Sequence, residues 1–178
     1  GRILNKTNGI TFRRWLFEAN PGLTRTLFDV VGRDVFDDAG ALRGLEAHAG
    51  DPALHERLAA VRRANKEALA RLAGERTGVR IDPGALFDVQ VKRIHEYKRQ
   101  LLNVLHVIAR YQAIRANHKA NWVPRTVIFG GKAASAYHAA KLIIRLINDV
   151  ARTVNADPCV NKLLKVVFIP NYRVTLAE

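Results

Sequence analysis

From Leu86 onward the chain switches regularly between two periods. Phe87, Val89 and Val91 alternate with Asp88, Gln90 and Lys92, the two-residue period of a strand over 86–91. From Lys98, Leu101, Leu102, Val104, Leu105 and Ile108 recur at three- and four-residue spacings, which predicts a helix reaching Arg115. The alternation continues with a second strand over Thr126 to Phe129 and a helix from about Ala136 to Val154. That helix places Ala140, Ile143, Ile144, Ile147 and Val150 on one side. A third strand follows over Leu164 to Ile169. Apolar strands separated by helices of this length predict right-handed parallel crossovers. The expected fold class is α/β: a doubly wound parallel sheet covered on both faces, of which three strands make half.

The preceding residues read as a helical lead-in over 1–84, with the sheet region over 85–178. GRILNKTNGI is a polar loop with an Asn8–Gly9 turn. Thr11 is placed to cap a short helix carrying Trp15, Leu16 and Phe17. Asn20-Pro21 opens the next helix and Gly32 closes it. A turn at Asp37-Asp38-Ala39-Gly40 leads to a small helix ending near Gly50. Asp51-Pro52 then starts a long helix running to about Ala73 and stopped by Gly74 or Gly78. Leu54, Leu58, Val61, Leu69 and Leu72 form its narrow apolar stripe, and the arginines around it read as a solvated face.

Composition narrows the class. The 178 residues suffice for one domain with a sizeable core, and 48% hydrophobic with 25% charged residues is the balance of a soluble globular chain. No apolar run approaches the roughly 20 residues needed to span a bilayer, and no signal-peptide pattern opens the chain. Cys159 is the single cysteine, so no disulfide forms within the chain, which suits a reducing cytoplasm. A net charge of +13 raises the question of nucleic acid. Against it, the arginines are spread over helices, and an aromatic content of 7% offers no stacking platform. A chain without methionine, starting at Gly1 and breaking off just after a strand, is expected to be a piece of something longer.

In an open parallel sheet, ligands sit beyond the carboxyl ends of the strands. The three ends here are Lys92 to Arg99, Gly130-Gly131-Lys132 and Asn171-Tyr172-Arg173. Two bear cations and one a glycine turn, which predicts an anion-binding crevice along one edge. The first end, KRIHEYKR, holds Lys92, Arg93, Lys98 and Arg99 with His95 and Tyr97 interleaved, at a helix N-terminus whose free N–H groups favour phosphate. By itself such a corner reads more simply as a solvated basic turn. GGKAAS fits neither the P-loop nor the dinucleotide pattern, so it is read as a tight strand–helix turn with Lys132 structural.

The wording of these segments carries more. VQVKRIHEYKRQLLN, NKTNGITFRRWL, RTVIFGGKAA and VFIPNYRV, together spanning nearly the whole chain, resemble the glycogen (alpha-glucan) phosphorylase family in the same order. The resemblance implies the first part of a Rossmann-like C-terminal domain in a glycosyltransferase-B type fold. It implies phosphorolysis of alpha-1,4-glucan to glucose 1-phosphate with pyridoxal 5′-phosphate as cofactor, in a homodimeric cytoplasmic parent. By the same resemblance Lys92 holds the cofactor's 5′-phosphate, and Arg93 and Lys98 hold the substrate phosphate, with Lys98 able to serve both anions. Asn8, His95 and Tyr97 contact the glucosyl ring, while Tyr172 and Arg173 pack near the cofactor.

Departures from the pattern are Phe12, where the family usually has proline, and Ser135-Ala136, where it commonly has proline and glycine. Tyr137 matches a tyrosine that lines an aromatic inhibitor cleft in animal members; with both neighbours altered, that site is not assigned. The family's cofactor lysine lies in a glycine-rich block of the kind EASGTGNMKF, which nothing in these residues matches. The 178 residues alone are therefore expected neither to bind the cofactor covalently nor to turn over glucan. The competing readings are a basic α/β module binding nucleic acid or phosphate without catalysis, and an inert piece with an unpaired edge strand.

Overall fold

The computed structural model describes Ile3, Leu4 and residues 9–178; Asn8 lies outside the described residues. The chain divides into two compact units, residues 1–64 (with Glu178) and residues 65–177.

The first unit is built on phenylalanine. A π-helical run Arg13–Glu18 and helix α1, Pro21–Val31, bring Phe17 against Phe12, Phe28 and Phe36, with ring centroids 5.3, 5.6 and 5.5 Å apart. Leu27 and Val35 complete this small core. Asn20 caps α1 as its sequence predicts, its side chain accepting from the Leu23 N–H at 3.2 Å, with Pro21 at the first helical position and Gly32 at the end. Thr11 does not cap the earlier run. Phe12 occupies the cap position with helical dihedrals and no side-chain bond, and Thr11 contributes only its carbonyl, to the Trp15 N–H. The Asp38 side chain caps the 3₁₀ stretch Ala39–His48. Helix α2, Pro52–Thr77, is started by Asp51 and ends at Gly78, whose φ of 73° favours a residue without a side chain. Gly74, the other candidate stop, sits inside the helix.

The second unit holds the sheet. Strands β1 Leu86–Val91, β2 Arg125–Gly130 and β3 Leu164–Ile169 are all parallel, in the order β1-β2-β3. Helices α3 Gln100–Ala116 and α4 His138–Ala156 are the crossovers. Both lie on one face, where Val104, Val107, Ile143 and Ile147 pack on Val127, Phe129, Leu164 and Val166. The other face is covered by the last turns of α2, through Leu69, Leu72 and Ala73 against Ile128, Val167 and Ile169. Phe129 is 1% exposed, and truncating such a residue to alanine costs roughly 3–5 kcal/mol. Among the described residues no helix is long and apolar enough to cross a membrane.

Helix α3 departs from its sequence pattern in two ways. It starts at Gln100 rather than Lys98, because Glu96–Lys98 form a 3₁₀ turn and Arg99 takes a left-handed conformation, φ 62°, that interrupts the helical path. Its buried stripe is Gln100, Val104, Val107 and Ile114, whereas Leu101, Leu102 and Leu105 are exposed. The helix is apolar on more than one side, and periodicity alone does not say which side meets the sheet.

A close approach fixes the carboxyl edge of this sheet. A β-carbon on Gly131 would overlap the Lys92 carbonyl oxygen and lie 2.9 Å from Ile94 Cδ1. Gly74 has nothing within 4 Å of the same hypothetical atom. Gly131→Ala is therefore expected to lower unfolding free energy by roughly 2–4 kcal/mol. Gly74→Ala is expected to be neutral or stabilising by up to about 1 kcal/mol. Urea titration of the two variants checks both.

Candidate functional site

The three strand ends predicted to converge do so. Val91, Gly130 and Ile169 are level across the sheet in the pairing register. The ladder continues past them: the Lys92 N–H donates to the Gly130 carbonyl at 3.0 Å, and the Ile94 N–H to the Lys132 carbonyl at 3.1 Å. From the third end, the ring of Tyr172 approaches the bare Cα of Gly130, where a β-carbon would be 3.4 Å from Tyr172 Cδ2 and 3.1 Å from Val91 Cγ1. The distance to Tyr172 is ordinary contact, so its ring lies against the end of the middle strand, and the tighter neighbour is the Val91 side chain. Asn171 just before it has φ 55°, and Arg173 is exposed, its carbonyl accepting from the first turn of α5, Val174–Ala177.

The corner between β1 and α3 holds Lys92, Arg93, His95, Tyr97 and Lys98 within seven residues. Ile94 anchors it, 2% exposed beneath the turn, and the side chains on either side of it project into solvent. His95 Nδ1 accepts from the Tyr97 N–H at 3.3 Å, which leaves the proton of the neutral ring on Nε2 as a donor. The His95 ring lies 4.3 Å from that of Tyr97 and 4.9 Å from that of Tyr137, and Lys98 Nζ stands 4.6 Å over Tyr97. The ammonium is thereby held beside the ring pair by attraction to the face of the phenol.

Among the described residues the side chains of Lys92, Arg93, Lys98 and Arg99 form no ion pair. The one carboxylate in the segment is engaged elsewhere: Glu96 Oε2 accepts from the Tyr137 hydroxyl at 2.5 Å. Four cations against the single carboxylate of Glu96, with no salt bridge between them, leave the corner net positive, which favours an anion. It is an open surface rather than a closed crevice. A cavity of about 500 Å³ lies at the other, amino-terminal edge of the sheet, lined in part by Arg80, Arg125, Lys162 and Lys165, away from these residues. Among the described residues no group of His, Cys, Asp and Glu is arranged to hold a metal.

Sequence reasoning missed the carboxamides that hold the corner. Gln90 Nε2 donates to the Lys98 carbonyl at 3.1 Å and its Oε1 accepts from Asn103 Nδ2 at 2.9 Å. Gln100, fully buried, donates to the Arg93 carbonyl at 3.1 Å and accepts from the His95 N–H at 3.4 Å. The signal was present in the spacing. Gln90 stands on the strand face that meets α3, and Gln100 and Asn103 are three apart, on one side of the helix. Tyr137, reached from the second crossover, also belongs to the cluster.

The Glu96–Tyr137 bond has a measurable signature. Donation to the carboxylate, and then partial burial, raise the Tyr137 phenol above the ordinary tyrosine range. With the folded value raised, the pair's contribution is fully present below the ordinary tyrosine pKa and fades as pH rises through the elevated one. Glu96→Gln is expected to bring the Tyr137 titration back down toward that of free tyrosine, read by NMR of ring-labelled tyrosine.

The carbohydrate phosphorylase family model matches residues 1–178. The chain is 53% identical over 177 residues to a glycogen phosphorylase of Pasteurella multocida (strain Pm70), covering 99% of this chain and 22% of that protein. It is 52% identical to the liver form of glycogen phosphorylase of Homo sapiens, with 99% of this chain and 21% of the relative covered. It is likewise 52% identical to a glycogen phosphorylase of Haemophilus influenzae, covering 99% and 22%. The chain thus spans about a fifth of the length of the curated relatives it matches. With the family model running the whole length over a parallel sheet whose carboxyl edge bears the basic corner, the chain belongs to the carbohydrate phosphorylase family.

Proposed function

We propose that these residues supply one wall of the catalytic centre of an alpha-1,4-glucan phosphorylase, which transfers the terminal glucosyl unit of a glucan to inorganic phosphate and releases glucose 1-phosphate. The observation that carries the reading is the juxtaposition of Lys92, Arg93 and Lys98, none of them in a salt bridge among the described residues, with the His95–Tyr97 ring pair at the carboxyl edge of the sheet. It combines what a phosphate needs with what a sugar needs. The family match favours this over a nucleic-acid module.

In the reaction a phosphate oxygen bonds the anomeric carbon, the bond from that carbon to the glucan O4 breaks, and O4 leaves with a proton. Arg93 offers its planar fork of donors to the phosphate, and Lys98 adds a compact charge beside it. His95 Nε2–H and the Tyr97 phenol bond hydroxyls of the glucosyl ring; Asn8 is assigned the same task from its place in the motif. Pyridoxal phosphate, when bound, supplies a second phosphate group that acts as proton shuttle or electrostatic partner to the first. The residues present fit its phosphate end: Lys92 is exposed, carries no counter-ion among the described residues, and lies one residue from Arg93. Tyr172 and Arg173, beyond the end of β3, would lie near the cofactor. A homodimeric parent working in the cytoplasm completes the reading, the lone Cys159 being free and exposed as a reducing compartment allows.

The electrostatics explain the density of cations. Two unit charges 4 Å apart repel by about 4 kcal/mol at an effective dielectric constant of about 20, and two dianions by about four times that. Lys92, Arg93 and Lys98 bring three positive charges against those four negative ones. Holding both phosphates side by side therefore needs all three.

Arg93→Lys in the full-length protein is expected to lower kcat/KM for phosphate by roughly 10²-fold, because a point charge cannot reproduce two parallel donated bonds. The assay is glucose 1-phosphate release from glucan and phosphate, and a variant within threefold of the wild type would remove the reading. The isolated 178 residues are expected to release none; release above a Lys92→Ala control would show that they are sufficient.

A further inference from the structure

The segment that carries Arg93 and His95 is pinned from below by one side chain. Gln100 is the first residue of α3 and is fully buried. Its carboxamide reaches back to both sides of Ile94, donating to the Arg93 carbonyl at 3.1 Å and accepting from the His95 N–H at 3.4 Å. A third bond, Ile94 N–H to the Lys132 carbonyl, ties the same three residues to the neighbouring strand end at 3.1 Å. The backbone of residues 93–95 is thus fixed at successive positions, while the side chains of Arg93 and His95 remain exposed.

From this we infer that Gln100 is a positioning residue for phosphate binding by Arg93. The inference rests on the phosphate role proposed above. Burying an amide without partners costs of order 2 kcal/mol or more, and an apolar side chain would fill the same space without that cost. What an apolar side chain cannot do is hold a carbonyl and an N–H two residues apart in one orientation. A carboxamide has a donor and an acceptor on one rigid plane, and here both are used. Without that brace the Arg93 peptide can rotate, and the long guanidinium lever magnifies the rotation. A misplacement of about 1 Å in a bound reactant is enough to cost about 10²-fold in rate. Gln100 touches neither phosphate nor sugar; it acts through the backbone of Arg93.

The test compares Gln100→Leu and Gln100→Glu with wild type in the full-length protein. Two readouts are taken across about pH 6 to 8: the KM for inorganic phosphate and for glucan, and the Kd for inorganic phosphate from chemical shifts of the Lys92–Arg99 amides. Gln100→Leu is expected to raise the KM and Kd for phosphate about tenfold or more while the KM for glucan stays within about twofold. Gln100→Glu is the diagnostic variant. A buried carboxylate cannot donate to the Arg93 carbonyl, but the protonated acid can, and burial raises the pH at which it protonates. Its phosphate Kd relative to wild type is therefore expected to be high near pH 8 and to return toward one as pH falls, a recovery that Gln100→Leu lacks.

A phosphate KM and Kd within twofold of wild type for both variants overturns the inference. So does a Gln100→Glu ratio that does not change with pH. Should Gln100→Leu fail to fold, the pH dependence of the Gln100→Glu ratio decides. If wild type binds phosphate at this corner but releases no glucose 1-phosphate, the phosphorylase reading fails, and the Kd ratios still settle the part played by Gln100. If wild type binds no phosphate at this corner, the inference falls with the reading.

Discussion

The carbonyl oxygen of Lys92 occupies the space in which residue 131 would carry a β-carbon, and much of the site follows from that one approach. Only glycine permits it, and because it is permitted the backbone beyond β1 continues to pair with the backbone beyond β2. The pairing carries the Lys92 N–H and then the Ile94 N–H onto the next strand end. The basic corner is consequently not a loop hung from the sheet but an extension of it. On the other side the Tyr172 ring lies at ordinary contact distance from where Gly130 would carry a β-carbon. The approach at Gly131 therefore joins the first two strand ends, with Tyr172 of the third beside them.

Charge is arranged with the same economy of parts. Four cations close in sequence repel one another, but at an open surface water reduces each interaction at 4 Å to about 1 kcal/mol, so the fold tolerates them. Their attraction for a multiply charged anion grows as water is displaced by the ligand. The one carboxylate in the segment, Glu96, keeps its charge but directs an oxygen to the Tyr137 hydroxyl, and the four cations outnumber it. Glu96 thereby joins the second crossover to the first without forming a salt bridge to Lys98 or Arg93. Lys98 in turn is steadied by the face of Tyr97 rather than by an acid. An aromatic face restrains a cation while leaving its charge free for a phosphate.

The sheet was legible in the sequence because its determinants are local. β1 has the bounds that its alternation of apolar and polar residues predicts, and β3 those of its short apolar run. The level of the strand ends followed from parallel order. What could not be read depends on partners distant along the chain. Leu101, Leu102 and Leu105 looked like core by their spacing, yet they are exposed, because which side of α3 meets the sheet is decided by Val104 and Val107 fitting against other elements. Thr11 looked like a cap, yet Phe12 takes that position because its ring packs on Phe17. The Glu96–Tyr137 bond joins residues 41 apart, and no pattern along the chain announces it. The motif located the corner, but the carboxamides of Gln90, Gln100 and Asn103 were visible only as polar residues at inward positions.

Those carboxamides explain a last feature of the edge. Among the described residues, the two non-glycine residues with positive φ are Arg99 and Asn171, and both stand at the carboxyl edge, after β1 and β3 respectively. A left-handed conformation costs a residue with a β-carbon roughly 1–2 kcal/mol. A glycine at 99 would remove that cost, but it would also remove a cation from the corner and loosen the approach to α3. Instead the kink at Arg99 is enclosed: Gln90 holds the carbonyl before it, Gln100 follows it, and the Arg99 carbonyl itself accepts from the Asn103 N–H at 3.2 Å. The kink turns the chain so that Lys98 stays in the exposed turn while Gln100 enters the core. A smooth helix from Lys98, the path that periodicity favours, lacks this abrupt change of direction between the two. Local strain at Arg99 and the buried carboxamide at Gln100 are thus one device, in which the cost of the first sets the reach of the second.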